Sequence, residues 1–274
     1  MADNGLLNLA LDNGERSPLS HEALTDVIDL AVWAGQLMLQ NGSDAERVET
    51  TIHYMGTALG CSWLDVLVSP NAILVTTSSG VEFRTKVRRV PHMGVDMTVV
   101  SGVSRLSRRV VAEGLDRFEV RAELERISRI GEHYNRWLVV GMVGLACAAF
   151  SQLFGGDGPV FLVTLVASGA AMAVRQELTA RYFNPILVTA ATAFVAGFLA
   201  SSAVVFGWGM QPQLALASAV LLLVPGVPLI NAAQDLIKGY AVIGLARGTI
   251  GLLISLSIAL GLLLAMQLMG VSGL

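Results

Sequence analysis

The sequence predicts an α-helical polytopic membrane protein, with about five spanning helices after an N-terminal cytosolic α+β domain. Three observations carry this. Hydrophobic residues make up 54% of the 274 and mean hydropathy is +0.63, high for a soluble chain. The charges sit almost wholly at one end: 14 of 18 Lys and Arg and 18 of 21 Asp and Glu lie in residues 1–136. The other 138 residues hold seven charges, too few to solvate a globular surface, so lipid is their expected solvent.

Residues 1–19 are polar and read as a mobile tail. The first ten lack a basic leader and a long apolar run, so the domain at residues 20–136 is expected to stay in the cytosol. Ser20 is placed to cap a first helix, in which Leu24, Val27, Ile28, Ala31, Ala34 and Met38 recur at helical spacing. Asn41-Gly42 ends it, and Ser43-Asp44-Ala45-Glu46 reads as a capping box opening a second helix with Val48, Ile52, Met55 and Leu59 on its apolar stripe. Gly60 closes that helix.

The period then falls to two. Trp63 to Val68 and Ala72 to Thr77 are strand-like runs separated by Ser69-Pro70-Asn71. After Ser79-Gly80 a third run alternates Val81, Phe83, Thr85 and Val87 with Glu82, Arg84, Lys86 and Arg88. The expectation is an antiparallel sheet whose charged face meets water. The helical period returns around 98–113 and 115–132, with Glu125 and Arg129 spaced for an ion pair.

No enzymatic chemistry stands out. His21-Glu22 opens a zinc-helix motif whose second His position is Thr25, and His21, His53, His92 and His133 have no ligand spacing. There is no phosphate loop and no nucleophile elbow. Cys61 and Cys147 form no framework and fit a reducing compartment. No catalytic residue, metal site or cofactor is expected, and neither half is basic enough to suggest nucleic acid. The domain reads as a regulatory, gating or assembly module.

The transmembrane domain, residues 137–274, divides into apolar runs at 137–154, 158–174, 185–207, 213–237 and 241–270, near or above the roughly 20 residues that cross a ~30 Å core. With the N-terminal domain in the cytosol, Arg175, Arg181, Lys238 and Arg247 all fall on the cytosolic side. The opposite connections and the C-terminal Val-Ser-Gly-Leu carry no Lys or Arg, which places the C-terminus in the periplasm. Small residues four apart (Gly244 and Gly248, Ala167 and Ala171, Gly169 and Ala173, Gly197 and Ser201) foreshadow close helix packing.

The fourth run carries Pro225 and Pro228 near its middle. Each lacks an N–H and clashes with the carbonyl four residues back, so the helix is expected to break or kink at membrane depth. Such breaks survive only against protein or a water-filled cavity, and in transporters they line substrate sites; a simple proline kink is the other reading. Asn231, Gln234 and Asp235 share one face beyond the break.

This stretch, with Ser69-Pro70-Asn71-Ala72-Ile73 and the span opening Arg136-Trp137-Leu138-Val139-Val140-Gly141-Met142-Val143-Gly144-Leu145, resembles the threonine/serine exporter family. It is most similar to the larger subunit of that family's split, two-component, succinate-exporter-like form, over nearly all of the chain from about residue 22. The resemblance implies a secondary exporter of the bacterial inner membrane. Its substrates would be small carboxylate metabolites: threonine and serine for fused members, succinate-like dicarboxylates for some split ones. Fused members have about twice as many spans, so a smaller membrane subunit is implied as partner. A membrane-embedded enzyme and a regulatory or scaffolding membrane protein are the alternatives.

The expected substrate-binding residues are Pro225, Gly226, Pro228, Asn231, Gln234, Asp235 and Arg175. If the helix restarts after Pro228, the N–H groups of Leu229, Ile230 and Asn231 form a positive end suited to a carboxylate. Asp235 would carry a proton, bind an ammonium, or simply sit at the interface near Lys238. Arg175 would attract anions to the cytosolic mouth or anchor its helix.

Overall fold

The computed structural model describes residues 19–129 and 134–271. The expected tail, Leu19 apart, His133 and the last three residues lie outside them. Among the described residues the regular structure is helical apart from one three-stranded sheet, and the chain divides into two compact units. Of the described residues, one joins 19–129 to 227–248; the other joins 134–226 to 249–271.

In the first unit, α1 (His21–Gln40) is capped by the Ser20 side chain, which accepts from the Ala23 N–H. Its stripe Leu24, Val27, Ile28, Ala31, Ala34 and Met38 is fully buried. The helix ends at Asn41, and Gly42 takes a left-handed φ of +93° that turns the chain back. α2 (Ala45–Ala58) starts one residue later than the capping box implied: Asp44 is the cap, accepting from the Arg47 N–H at 3.3 Å. The residue three past that cap is Arg47, so no reciprocal box forms.

Strands β1 (Trp63–Val68), β2 (Ala72–Ser79) and β3 (Glu82–Arg89) pair antiparallel in the order β1-β2-β3. Their facing is the reverse of the expectation. Leu64, Ile73 and Val75 pack into the core with the helices, whereas Trp63, Leu67, Phe83 and Val87 point outward, Phe83 at 64% exposure. Register decides this. Because Ile73 pairs with Arg88 and Val75 with Lys86, the β3 residues on the core side are the charged ones. α1 supplies their partners at the sheet edge: Asp29 meets Lys86 at 2.8 Å, and Gln36 accepts from Arg88 at 2.5 Å.

α3 (Met97–Glu113) is capped by Asp96, and α4 (Arg117–Ser128) by a reciprocal Asp116–Glu119 box. Asp26 of α1 ties α4 down through Arg121. The Glu125–Arg129 pair forms, at 3.7 Å. The same unit ends with α9 (Gly226–Ile237), from its second residue, and the first residues of α10 (Ala241–Leu268).

The second unit holds α5 (Arg136–Leu153), α6 (Gly158–Ala180), α7 (Pro185–Val205) and the short α8 (Gln213–Ala219) with a 3-10 turn, Leu221–Leu223. Asn135, Asp157 and Asn184 cap the three long helices, with Pro159 and Pro185 in first turns. Ala167, Ala171, Ala196, Ala200, Ala215 and Ala219 form the interior, so backbones approach closely. Buried hydroxyls turn inward on their own helices: Thr164 donates to the Val160 carbonyl at 2.8 Å and Ser168 to that of Thr164 at 2.7 Å. Among the described residues four helices are long and apolar enough to cross a membrane, or five if the bent pair α8–α9 counts as one broken span.

Candidate functional site

The interruption in the fourth apolar run lies at Val224-Pro225. Val224 is extended (φ −57°, ψ 122°), and the helix restarts at Gly226, three residues earlier than expected. Pro228 therefore sits in the first turn, where a missing N–H costs nothing. The N–H groups of Leu229, Ile230 and Asn231 fall within the helix, so they are not the free donors the sequence suggested. Gly226 and Val227 supply the donors at the helix start, and the Gly226 N–H is turned back to the Val224 carbonyl at 2.9 Å.

Beyond the break, Asn231 and Asp235 on α9 and Lys238 just past its end follow one another at helical spacing. All three engage a single stretch, Gly42 to Glu49. The Asn231 amide donates to the Gly42 carbonyl at 2.7 Å. Asp235 has no exposed surface; its carboxylate accepts from the Ala45 N–H at 2.9 Å and from Arg247 at 2.6 Å. Arg247 is 4% exposed and its second guanidinium nitrogen donates to the Ser43 carbonyl at 2.7 Å. The Ala45 N–H opens α2, so the carboxylate also meets the positive end of that helix.

Around this buried pair lies a partly exposed ring. Lys238 contacts Glu46 at 2.5 Å and Asp44 at 3.3 Å, and the Glu46 carboxylate raises the lysine pKa. The Tyr240 hydroxyl donates to Glu49 at 2.5 Å; burial, then the Glu49 bond, raises its pKa. Gly244 lets α10 lie directly against α9, because a Cβ there would meet Leu236 and the Ala232 carbonyl. Gln234 is exposed and takes no part.

The expected site residues thus fall into groups. Pro225, Gly226 and Pro228 shape the break; Asn231 and Asp235 are bonded to Gly42 and Ala45; Gln234 is open. Arg175 belongs to the second unit, where it is half-buried and donates to the Leu222 carbonyl at 3.4 Å. Among the described residues it has no carboxylate within ion-pair distance; nearby in sequence, Glu177 pairs with Arg181 and Arg136 instead. Sequence reasoning missed Arg247 and the Gly42–Glu49 stretch. The available signal was that Asp235 and Arg247 are opposite charges in a half with only seven. Among the described residues no cluster of His, Cys, Asp or Glu could hold a metal ion.

The profile of a family described as "Putative threonine/serine exporter" matches residues 29–269. The chain is 36% identical over 248 residues to "Probable succinate transporter subunit YjjP" of Klebsiella aerogenes, covering 90% of this chain and 95% of the relative. It is 35% identical over 250 residues to the protein of that name in Escherichia coli, covering 90% and 96%. Against "Threonine/serine exporter" of Corynebacterium glutamicum identity is 26% over 267 residues, 92% of this chain but 54% of the relative. No solved structure matches the chain.

Proposed function

Because the chain belongs to the threonine/serine exporter family, we propose that it is one subunit of a secondary exporter of small carboxylate metabolites in the bacterial inner membrane. The family is one of membrane exporters, not enzymes. A succinate-like dicarboxylate is the first candidate substrate and threonine or serine the second. The observation that carries this choice is coverage: the chain accounts for 95% and 96% of two relatives named as succinate transporter subunits, but 54% of a threonine/serine exporter. A protein matching half of a longer relative needs the other half from elsewhere, so a second, smaller membrane subunit completes the exporter. The N-terminal domain, residues 20–136, lies in the cytosol and the C-terminus in the periplasm, an arrangement supported by the one-sided distribution of Lys and Arg.

The substrate carboxylate is held near the break at Pro225 and Gly226, where the Val227 N–H is a backbone donor. Arg175 adds a separate positive charge: an arginine inside an apolar helix without a carboxylate partner suits an anion. Cells loaded with labelled succinate, threonine or serine test the reading. Succinate efflux that needs both subunits supports it. Efflux of threonine alone selects the second substrate, and full-rate transport by the purified chain removes the partner. Within the site, Pro225→Ala and Arg175→Gln should each lower efflux about tenfold or more at unchanged membrane abundance, the scale of one hydrogen bond to a charged group. Parental efflux in both would place the site elsewhere.

A further inference from the structure

Several charged and amide side chains converge on the polar face of α9, and the hydrogen bonds that Asn231, Asp235, Lys238 and Arg247 make outside the α9–α10 segment run to Gly42–Glu49. A substrate path needs groups free to meet a substrate. Here Asp235 has no exposed surface, and both its oxygens are already bonded, one to a backbone N–H and one to a guanidinium. Arg247 is similarly consumed by Asp235 and the Ser43 carbonyl. Each group of the pair is read by the backbone group that suits its charge, a donor for the carboxylate and a carbonyl for the guanidinium. That is a fitted socket rather than a chance meeting of charges.

We infer that Asp235 and Arg247 are positioning residues of the exporter: as a matched buried pair they lock the α9–α10 hairpin onto the Gly42–Glu49 stretch, making the N-terminal domain a working part of the transport machinery. The lock acts on transport through α9 itself. Asp235 lies nine residues from Gly226, the first residue of the helix that opens at the break, so the socket holds that helix from its far end. The spacing gives a rigid lever of about 13 Å at 1.5 Å per residue. Asn231 reinforces the hold one turn nearer the break, through Gly42. Lys238 with Glu46, and Tyr240 with Glu49, close the rim against water. On this assignment the Asp235 carboxylate, bonded at both oxygens, serves as an anchor and not as the carrier of a coupling proton. The transport arm rests on the exporter reading; the docking arm does not.

The two roles of Asp235 separate in a double substitution. Removing one member of a buried pair leaves the other charge stranded, whereas removing both leaves none. Docking is read without any substrate in the full chain carrying Glu46→Cys and Lys238→Cys, joined by a short bis-maleimide; export is read in the chain that keeps Glu46 and Lys238. Asp235→Asn should lower cross-linking and export together, with the docked fraction falling by roughly two orders of magnitude, and Arg247→Gln should do the same. Asp235→Asn combined with Arg247→Gln should regain cross-linking and much of the export. Arg247→Lys, which keeps the charge but loses the two-pronged contact, should fall between parent and Arg247→Gln. The inference is overturned if the double variant cross-links no better than Asp235→Asn. It is overturned equally if the double variant cross-links like the parent but exports nothing, since Asp235 then acts directly on substrate or proton. A parent that cross-links but exports none of the tested metabolites refutes the exporter reading and leaves the docking result standing.

Discussion

At the scale of single residues, environment overrides chemical type. Cys61 is 6% exposed, and burial pushes its thiol above the ordinary range despite a hydrogen bond with Thr77. Thiolate is the reactive form, so it is scarce here at neutral pH. Cys147 is buried as well. A maleimide at pH 7 should label neither cysteine in the folded chain and both after denaturation; prompt labelling without denaturant would show that these sites open. Tyr240 gives a second residue-level expectation. Tyr240→Phe removes one hydrogen bond to the Glu49 carboxylate. Because the tyrosine is only partly buried, the cost should lie near the low end of about 1.5–3 kcal/mol, seen as a small drop in thermal stability in detergent.

At the scale of elements, the sheet and the broken helix show how register decides what a pattern means. Clean alternation in β3 identified a strand, but alternation alone is symmetric: it says that one face differs from the other, not which face is inside. The answer came from pairing, because Ile73 and Val75 of the central strand set the core side and their partners on β3 are Arg88 and Lys86. Ile73→Ala should therefore cost about 2–5 kcal/mol, the usual range for a fully buried aliphatic, whereas Phe83→Ser should change stability by no more than about 0.5 kcal/mol. Denaturant or thermal unfolding would check both; the reverse ranking would mean that the sheet faces the other way. The two prolines of the fourth run behave similarly. Both disfavour a continuous helix, yet only Pro225 precedes the restart. Pro228→Ala should leave export and abundance near parental, because Pro228 occupies a first-turn position that needs no donor.

At the scale of the whole molecule, one polypeptide solves two solvation problems. The first unit buries large aliphatics such as Leu24, Ile28, Ile52 and Met55, while the second buries alanines and hydroxyls and leaves large apolar groups such as Leu145, Leu162 and Phe198 outward. An inverted hydrophobic pattern of that kind suits lipid. Orientation is then a matter of charge. A cysteine in place of Val81, which is fully exposed at the β2–β3 turn, should be shielded from an impermeant thiol reagent in intact cells. A cysteine in place of Met210, 90% exposed in the connection after α7, should be reached from the periplasm. Labelling of the first but not the second would invert the topology.

The sequence by itself determined the helical class, the apolar runs, the ends of the first helix and the family, because these depend on local period, local chemistry and composition. Ser20 and Gly60 stop or start helices through their own backbone and side-chain preferences, and a run of apolar residues is readable without knowing its neighbours. The tertiary structure alone decided which face of the sheet is covered and what the polar face of α9 touches. Asp235 and Ala45 are 190 positions apart, and Arg247 and Ser43 are 204 apart. No periodicity spans such distances. A carboxylate on the helix that follows a break reads equally well as a substrate ligand or a structural anchor until its partners are known, and those partners were set by the fold.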